Sequence, residues 1–268
     1  MSAGARTART QQPPVLRILV AEDNEVNQTV ALRLLERLGH RADVVSTGRE
    51  ALARLEHAAY DVVLMDVQMP DLDGLETSRA LCARWPANQR PRIVAMTAEA
   101  LPGDREKCLA AGMDDYIVKP VMLSQLEEAL ARCAPSGRAP AQAAPEPVVE
   151  DREGVAAAVL DRRVLEQLVK DLGGAAPLEN VIATFLEKTP SVLVTLRDAA
   201  ARADAAQIRE AAHRIKGASA MLGARTLAGQ CAELEQLVRR GHVVDAADRV
   251  AAIEAAYRKV EAALTPPR

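Results

Sequence analysis

From Leu16 to about Ala134, short apolar runs alternate with longer stretches whose apolar residues recur at three- and four-residue steps. The runs are LRILVA (16–21), ADVVS (42–46), DVVLM (61–65), RIVAM (92–96) and DYIVK (115–119). They are short and rich in Val or Ile, as buried parallel strands are. The first intervening stretch, Val26 to Leu38, carries Val30, Leu34, Leu35 and Leu38 at helical spacing, and Gly39 follows as a stop. Other helices are predicted over roughly 48–58, 74–84, 102–111 and 123–132. Five strands alternating with five helices predict an α/β domain over 15–133, an open, doubly wound parallel sheet.

The pattern then changes. Residues 1–14 have no periodicity and are expected to form a disordered N-terminus. Residues 134–158, with Pro135, Pro140, Pro145 and Pro147 among many alanines, are expected to be a semi-rigid linker. Over 159–265 Leu, Ile, Val and Ala recur at helical steps, with breaks expected at Gly173-Gly174, Pro190, Gly223 and Gly241. That predicts an all-α domain of four or five helices, a four-helix bundle in outline.

Composition excludes more than it identifies. The chain has 268 residues, 34 Lys+Arg against 37 Asp+Glu, a net charge of -3 and 2% aromatics. Without clustered positive charge or stacking platforms there is no case for nucleic acid. No apolar run is long enough to span a bilayer, so no membrane association is expected, and the arginine-bearing start lacks the apolar core of a secretory signal. Cys82, Cys108, Cys133 and Cys231 are scattered without a CxxC pair, so a cytoplasmic location is expected.

In an open parallel sheet the working groups gather at the carboxyl ends of strands near the point where strand order reverses. Strand one runs into Glu22-Asp23, strand three into Asp66, strand four into Thr97 and strand five into Lys119. A lone Asp at a strand end is commonly a helix cap. The joint occurrence of these residues at consecutive strand ends is what points to a site. In the order 2-1-3-4-5 strands one and three are neighbours, so three carboxylates converge. A cation must offset their repulsion, and an all-oxygen set suits Mg²⁺. Asp71 and Asp73 are read as loop carboxylates rather than a DxDG nucleophile, because Gln68-Met69-Pro70 and not a strand precedes them.

Over roughly 16–133 the chain resembles a response-regulator receiver domain, and VVLMDVQMPDLDGLE (62–76) is especially similar to receivers attached to hybrid histidine kinases. The resemblance implies that Asp66 is the phosphoacceptor. It implies a Mg²⁺ held by Asp23, Asp66, the Gln68 carbonyl and Glu22, the last through water. Lys119 then pairs with the phosphoryl oxygens and Thr97 hydrogen-bonds one of them. Tyr116 occupies the place of an aromatic switch residue acting with Thr97, Lys119-Pro120 matches a bond commonly cis, and Gln68 and Glu99 are placed to tune dephosphorylation.

In the helical half AAHRIKGASAMLGA (211–224) stands out. At about 100° per residue, Ile208, Ala212, Ile215, Ala218 and Leu222 share one stripe and His213 lies opposite, facing solvent. Lys216, Gly217 and Ala220 fall near the His213 face. The lysine can neutralise an anion there, and the small residues leave a low surface for a protein to approach. The pattern resembles a histidine phosphotransfer (HPt) domain: H-x-x-K-G with a further glycine, met by His213, Lys216, Gly217 and Gly223. Cys231 and Leu234-Glu235 also fit, whereas Met221 departs from the Asn often found there. His40, His57 and His242 are read as solvated surface residues.

Receiver and HPt together imply a phosphorelay intermediate in which Asp66 and His213 exchange a phosphoryl group. A sensor histidine kinase would feed it and a separate response-regulator receiver would drain it. No glycine-rich phosphate loop suggests an ATP site, so slow autodephosphorylation is the most catalysis expected. The alternative is a phosphorylation-gated binding module, or a phosphate sink, without obligatory transfer to His213. A linker of that length spans about 25–30 Å, which permits direct contact between the halves.

Overall fold

The structure, a computed structural model, describes residues 14–98, 102–133, 159–243 and 246–265. The linker over 134–158, Glu99, and all but Pro14 of the N-terminal tail lie outside the described residues. Five strands form the first half: β1 (Arg17–Ala21), β2 (Arg41–Val45), β3 (Val62–Asp66), β4 (Arg92–Thr97) and β5 (Asp115–Val118). Five helices alternate with them: α1 (Glu25–Arg37), α2 (Gly48–His57), α3 (Gly74–Arg84), α4 (Pro102–Ala110) and α5 (Leu123–Cys133). The sheet is parallel throughout, in the order β2-β1-β3-β4-β5. Every residue of β3 is buried, and β1 and β4 are buried after their first residues, because helices cover both faces. Edge strand β2 is half-exposed.

Helix starts follow local side-chain chemistry. Asn24 accepts from the Val26 amide at 3.0 Å, and Thr47 accepts from Glu50 at 3.2 Å. Asp73 accepts from Glu76 at 2.7 Å, which satisfies one of α3's orphan donors and gives that carboxylate a structural task. Asp71, at φ 67°, pairs with Arg49 Nε at 2.5 Å. Gly74 begins α3 because a Cβ there would stand 2.0 Å from the Asp66 carbonyl oxygen, so only glycine lets the helix start against the end of β3. The Lys119–Pro120 peptide is cis.

The second half is helical: α6 (Arg162–Leu172), α7 (Ala175–Ala201), α8 (Ala205–Met221), α9 (Arg225–Arg239) and α10 (Ala246–Leu264). Helices α7 to α10 close a ring in which each packs against two others, a four-helix bundle, and α6 lies outside it against α7 and α1. The core is filled by Phe185, Leu196, Ile208, Leu222, Leu227, Leu234 and Ile253, all 0% exposed.

Three expectations need correction. Pro190 does not break a helix: α7 runs through it for 27 residues. An interior proline costs a helix about 3 kcal/mol. Here Val181, Phe185 and Thr189 are buried before it and Leu193, Leu196 and Ala199 after it, one stripe continuous across the proline, while Pro190 itself is exposed. His40 is only half-exposed, and its Nδ1 accepts the Leu16 amide at 3.2 Å, fixing the start of β1; burial holds its pKa below the usual imidazole value. His213 does not face open solvent, because the two halves are docked and it points into their junction. The hydrophobic cores are continuous there, with α1 packed on α6, α7 and α8.

Phe185 is fully buried, with its ring centroid 5.9 Å from that of Tyr257. Phe185→Ala is expected to destabilise the helical half by about 3–5 kcal/mol, read as a lowered urea midpoint in tryptophan-independent circular dichroism, with little change in the sheet.

Candidate functional site

The strand register brings the site together. Ala21 pairs with Met65, so Glu22 stands beside Asp66. Asp66 pairs with Met96 and Thr97 with Val118, so Thr97 and then Lys119 follow along the same sheet edge. Glu22, Asp23, Asp66 and Thr97 are all buried. Lys119 Nζ lies 2.6 Å from both Glu22 Oε2 and Asp66 Oδ2. The other Asp66 oxygen accepts the Gln68 amide at 3.1 Å, which pins the loop that follows β3. Glu22 Oε1 accepts from Asn27 Nδ2 at 2.9 Å and from the Asn24 amide at 3.3 Å. Glu22 is thereby the anchor that ties Lys119 to the start of α1.

The charge balance explains the titration of these groups. Burial, then the Glu22 carboxylate, push Asp23 up to about 7, against the pull of Arg214 and Lys119. Burial also raises Asp66, opposed first by Lys119. Burial works against the charge on Lys119, yet Asp66 and Glu22 raise its pKa above the ordinary lysine value.

One oxygen of each of Glu22, Asp23 and Asp66 lies within 4.8 Å of the other two, and Asp23 Oδ1 is buried without a hydrogen-bond partner. An all-oxygen set with one acceptor unsatisfied fits a hard divalent cation such as Mg²⁺. Gln68 is exposed at the rim of the same cleft, its side chain turned toward solvent. Tyr116 is partly buried on β5, with the Arg105 guanidinium 5.9 Å from its ring centroid.

On the helical side His213 lines two cavities at the junction. The larger, about 400 Å³, is shared with Asp23, Gln68, Arg209 and Glu235. The smaller, about 160 Å³, is shared with Glu22, Ala98, Lys119 and Lys216. The imidazole is close enough to Asp66 for its charge to favour that carboxylate's ionised form. Glu235, buried on α9, holds the α8 groups from behind: Oε1 lies 3.3 Å from His213 Nδ1 and Oε2 lies 2.7 Å from Lys216 Nζ. Burial opposes ionisation of Glu235, but His213 and Lys216 hold its carboxyl below the usual range. Lys216 is thus paired within its own domain rather than free to meet an anion.

Sequence reasoning missed the residues that join the halves. Asn24 Nδ2 donates to the Arg214 carbonyl at 2.6 Å, and Arg214 Nε lies 3.6 Å from Asp23 Oδ2. Lys188 Nζ pairs with Glu25 Oε2 at 3.0 Å. Gly217 sits close against the receiver half: a Cβ there would stand 3.2 Å from Asn27 Nδ2. Asn24 and Asn27 read in the sequence as ordinary helix-start residues, and nothing local marked them as an interface.

Comparison with known proteins agrees with this two-part architecture. A response regulator receiver domain model matches residues 18–131 and an Hpt domain model matches residues 180–263. The aerobic respiration control sensor protein ArcB of Escherichia coli (strain K12) is 36% identical over 215 residues, covering 80% of this chain and 27% of ArcB. Sensor protein GacS of Pseudomonas syringae pv. syringae is 33% identical over 228 residues, covering 84% of this chain and 25% of GacS. The chain therefore spans about a quarter of the length of these curated relatives. Among solved structures, the receiver domain of the Pseudomonas aeruginosa PAO1 sensor histidine kinase PA1611, described with magnesium in its active-site cleft, is 44% identical. It covers 44% of this chain and 97% of that one, with a TM-score of 0.41. No described helix is long and apolar enough to cross a membrane. The chain joins a response regulator receiver domain to an HPt domain, as the C-terminal parts of hybrid sensor kinases do, and is a component of two-component phosphorelay signalling.

Proposed function

We propose that Asp66 accepts a phosphoryl group and exchanges it directly with His213 of the same chain. One observation carries this reading: in the docked molecule His213 lines both cavities that open onto the receiver's acidic strand ends. Phosphoryl transfer asks little of a protein beyond positioning and charge neutralisation, and residues around this junction can supply both. In the forward step the imidazole Nε2 lone pair forms a bond to phosphorus while the bond from phosphorus to the Asp66 oxygen breaks, its electron pair returning to the carboxylate. The reverse step regenerates the acyl phosphate. Glu235 beside Nδ1 favours the tautomer that carries its proton there, leaving Nε2 as the nucleophile. Lys119, between Glu22 and Asp66, is the cation beside the transferred oxygens, and Thr97 at the end of β4 is the hydroxyl donor.

Asp23 and Asp66, with the Gln68 carbonyl and Glu22 through water, are the groups that would hold Mg²⁺. When bound, that ion supplies neutralisation of phosphoryl charge. The phosphoryl group enters from a sensor histidine kinase and leaves to a receiver on another protein, and Thr97 and Tyr116 form the face that reports the state of Asp66.

Labelling by a small-molecule phosphodonor with Mg²⁺ separates the roles. Asp66→Asn is expected to take up no label at all, and chelation of the metal is expected to abolish labelling of the wild type. His213→Gln should label at Asp66 and, without another chain's His213 present, pass nothing to a separate receiver; label reaching such a receiver from that variant alone would refute the exchange. Glu235→Ala is expected to slow exchange by about 10–100-fold, with Glu235→Gln restoring most of the rate because it keeps an acceptor for Nδ1–H. Gly217→Ala should favour helix by about 1 kcal/mol in α8. It is nonetheless expected to slow exchange about tenfold, because Asn27 is held on Glu22 and cannot yield freely to the new methyl group. Rapid-quench measurement of label moving between acid-labile and alkali-labile pools follows both variants.

A further inference from the structure

Helix α6 lies outside both family matches, which cover 18–131 and 180–263. The bundle closes without it. Its Leu168 and Leu172 are nonetheless buried, in the same continuous core as Leu34 and Leu35 of α1. The polar contacts at its C-terminal end are reciprocal. Buried Asp171 accepts the Leu123 amide on Oδ2 at 3.2 Å, while Gln167 Nε2 donates to its Oδ1 at 2.7 Å and fixes the carboxylate. Leu123 opens α5, so its N–H is one of the donors that helix geometry leaves without an internal acceptor, and α5 has no acidic residue of its own in the first turn. In the other direction Arg37, in the last turn of α1, donates Nη1 to the Lys170 carbonyl near the C-terminus of α6, adding to the Gly173 amide that this carbonyl already accepts. Each half of the molecule therefore completes a helix end of the other.

We propose that α6 is a cis-docking clasp. It makes the chain's own receiver the preferred partner of His213, and it has to open before a receiver on another molecule reaches that imidazole. The functional meaning rests on the Asp66–His213 exchange proposed above; the docking does not. The face of α8 that a foreign receiver needs is the one already covered, since Gly217, His213 and Arg214 all meet the receiver's own residues. A competing receiver gains the clasp contacts only if it also offers an arginine at the end of its first helix and an uncapped start to its fifth. Without them it loses two side-chain caps, each on the order of tenfold in the docked fraction.

The test uses the full chain with Arg37→Ala and Asp171→Ala, which lie on opposite sides of the junction. Arg37 bonds to the Lys170 carbonyl and not to Leu123 or Asp171, so faster hydrogen exchange of the Leu123 amide in Arg37→Ala reports opening of the whole clasp rather than loss of one bond. Transfer between molecules is read by mixing a phosphorylated His213→Gln chain with an Asp66→Asn acceptor, with the clasp intact or carrying either substitution. The clasp predicts about tenfold faster transfer to the acceptor when it is broken, by either substitution, together with the faster exchange at Leu123. Unchanged exchange and unchanged transfer between molecules, with transfer to His213 intact, would overturn the clasp. Faster exchange at Leu123 with no label reaching His213 in any mixture would support the clasp as a docking device and overturn the exchange reading instead.

Discussion

Three carboxylates buried at one edge of a sheet cannot coexist without a cation, and the receiver half is organised around that constraint. Lys119 reaches Glu22 and Asp66 at equal distance because β1, β3 and β5 end at matching levels, with β4 between them. Taking an ion pair out of water is costly unless the remaining lone pairs are satisfied. Here Asn27, the Asn24 amide and the Gln68 amide satisfy them. The one exception, Asp23 Oδ1, is the position where a divalent ion has something to gain. The same arrangement that makes the site stable thus leaves a carboxylate oxygen without a hydrogen-bond partner beside the carboxylate proposed to take the phosphoryl group.

The helical half presents a second charged group built on the same logic. Glu235 is buried with Lys216 Nζ 2.7 Å from one oxygen and His213 Nδ1 3.3 Å from the other. Docking sets this triad against the acidic edge. Beside the apolar packing of α1 on α6, α7 and α8, the polar contacts nearest the site are one amide to a carbonyl, one guanidinium at 3.6 Å and one ion pair that remains largely exposed. Exposed pairs of that kind are worth little individually.

How much was legible in the sequence depends on how local the cause was. The strands, helix starts and strand-end residues were legible because period and capping are properties of neighbouring positions. Val62 to Met65 can hardly be anything but a central strand, whereas Asp73, read as a loop carboxylate, is shown by the structure to cap α3. Pro190 misled because its local penalty is real but small against a buried stripe running through it. His40 misled because its partner, the Leu16 amide, is 24 positions away.

The sequence by itself determined the elements, the strand-end chemistry and the stripe that turns His213 away from its own core, since each follows from spacing within one element. Only the tertiary structure decided what His213 faces, that Lys216 is spent on Glu235, and that Asn24, Asn27, Arg37 and Asp171 join the halves. Those are pairings between surfaces far apart along the chain. A residue's periodicity says which side of its helix it occupies and nothing about what will be packed against that side.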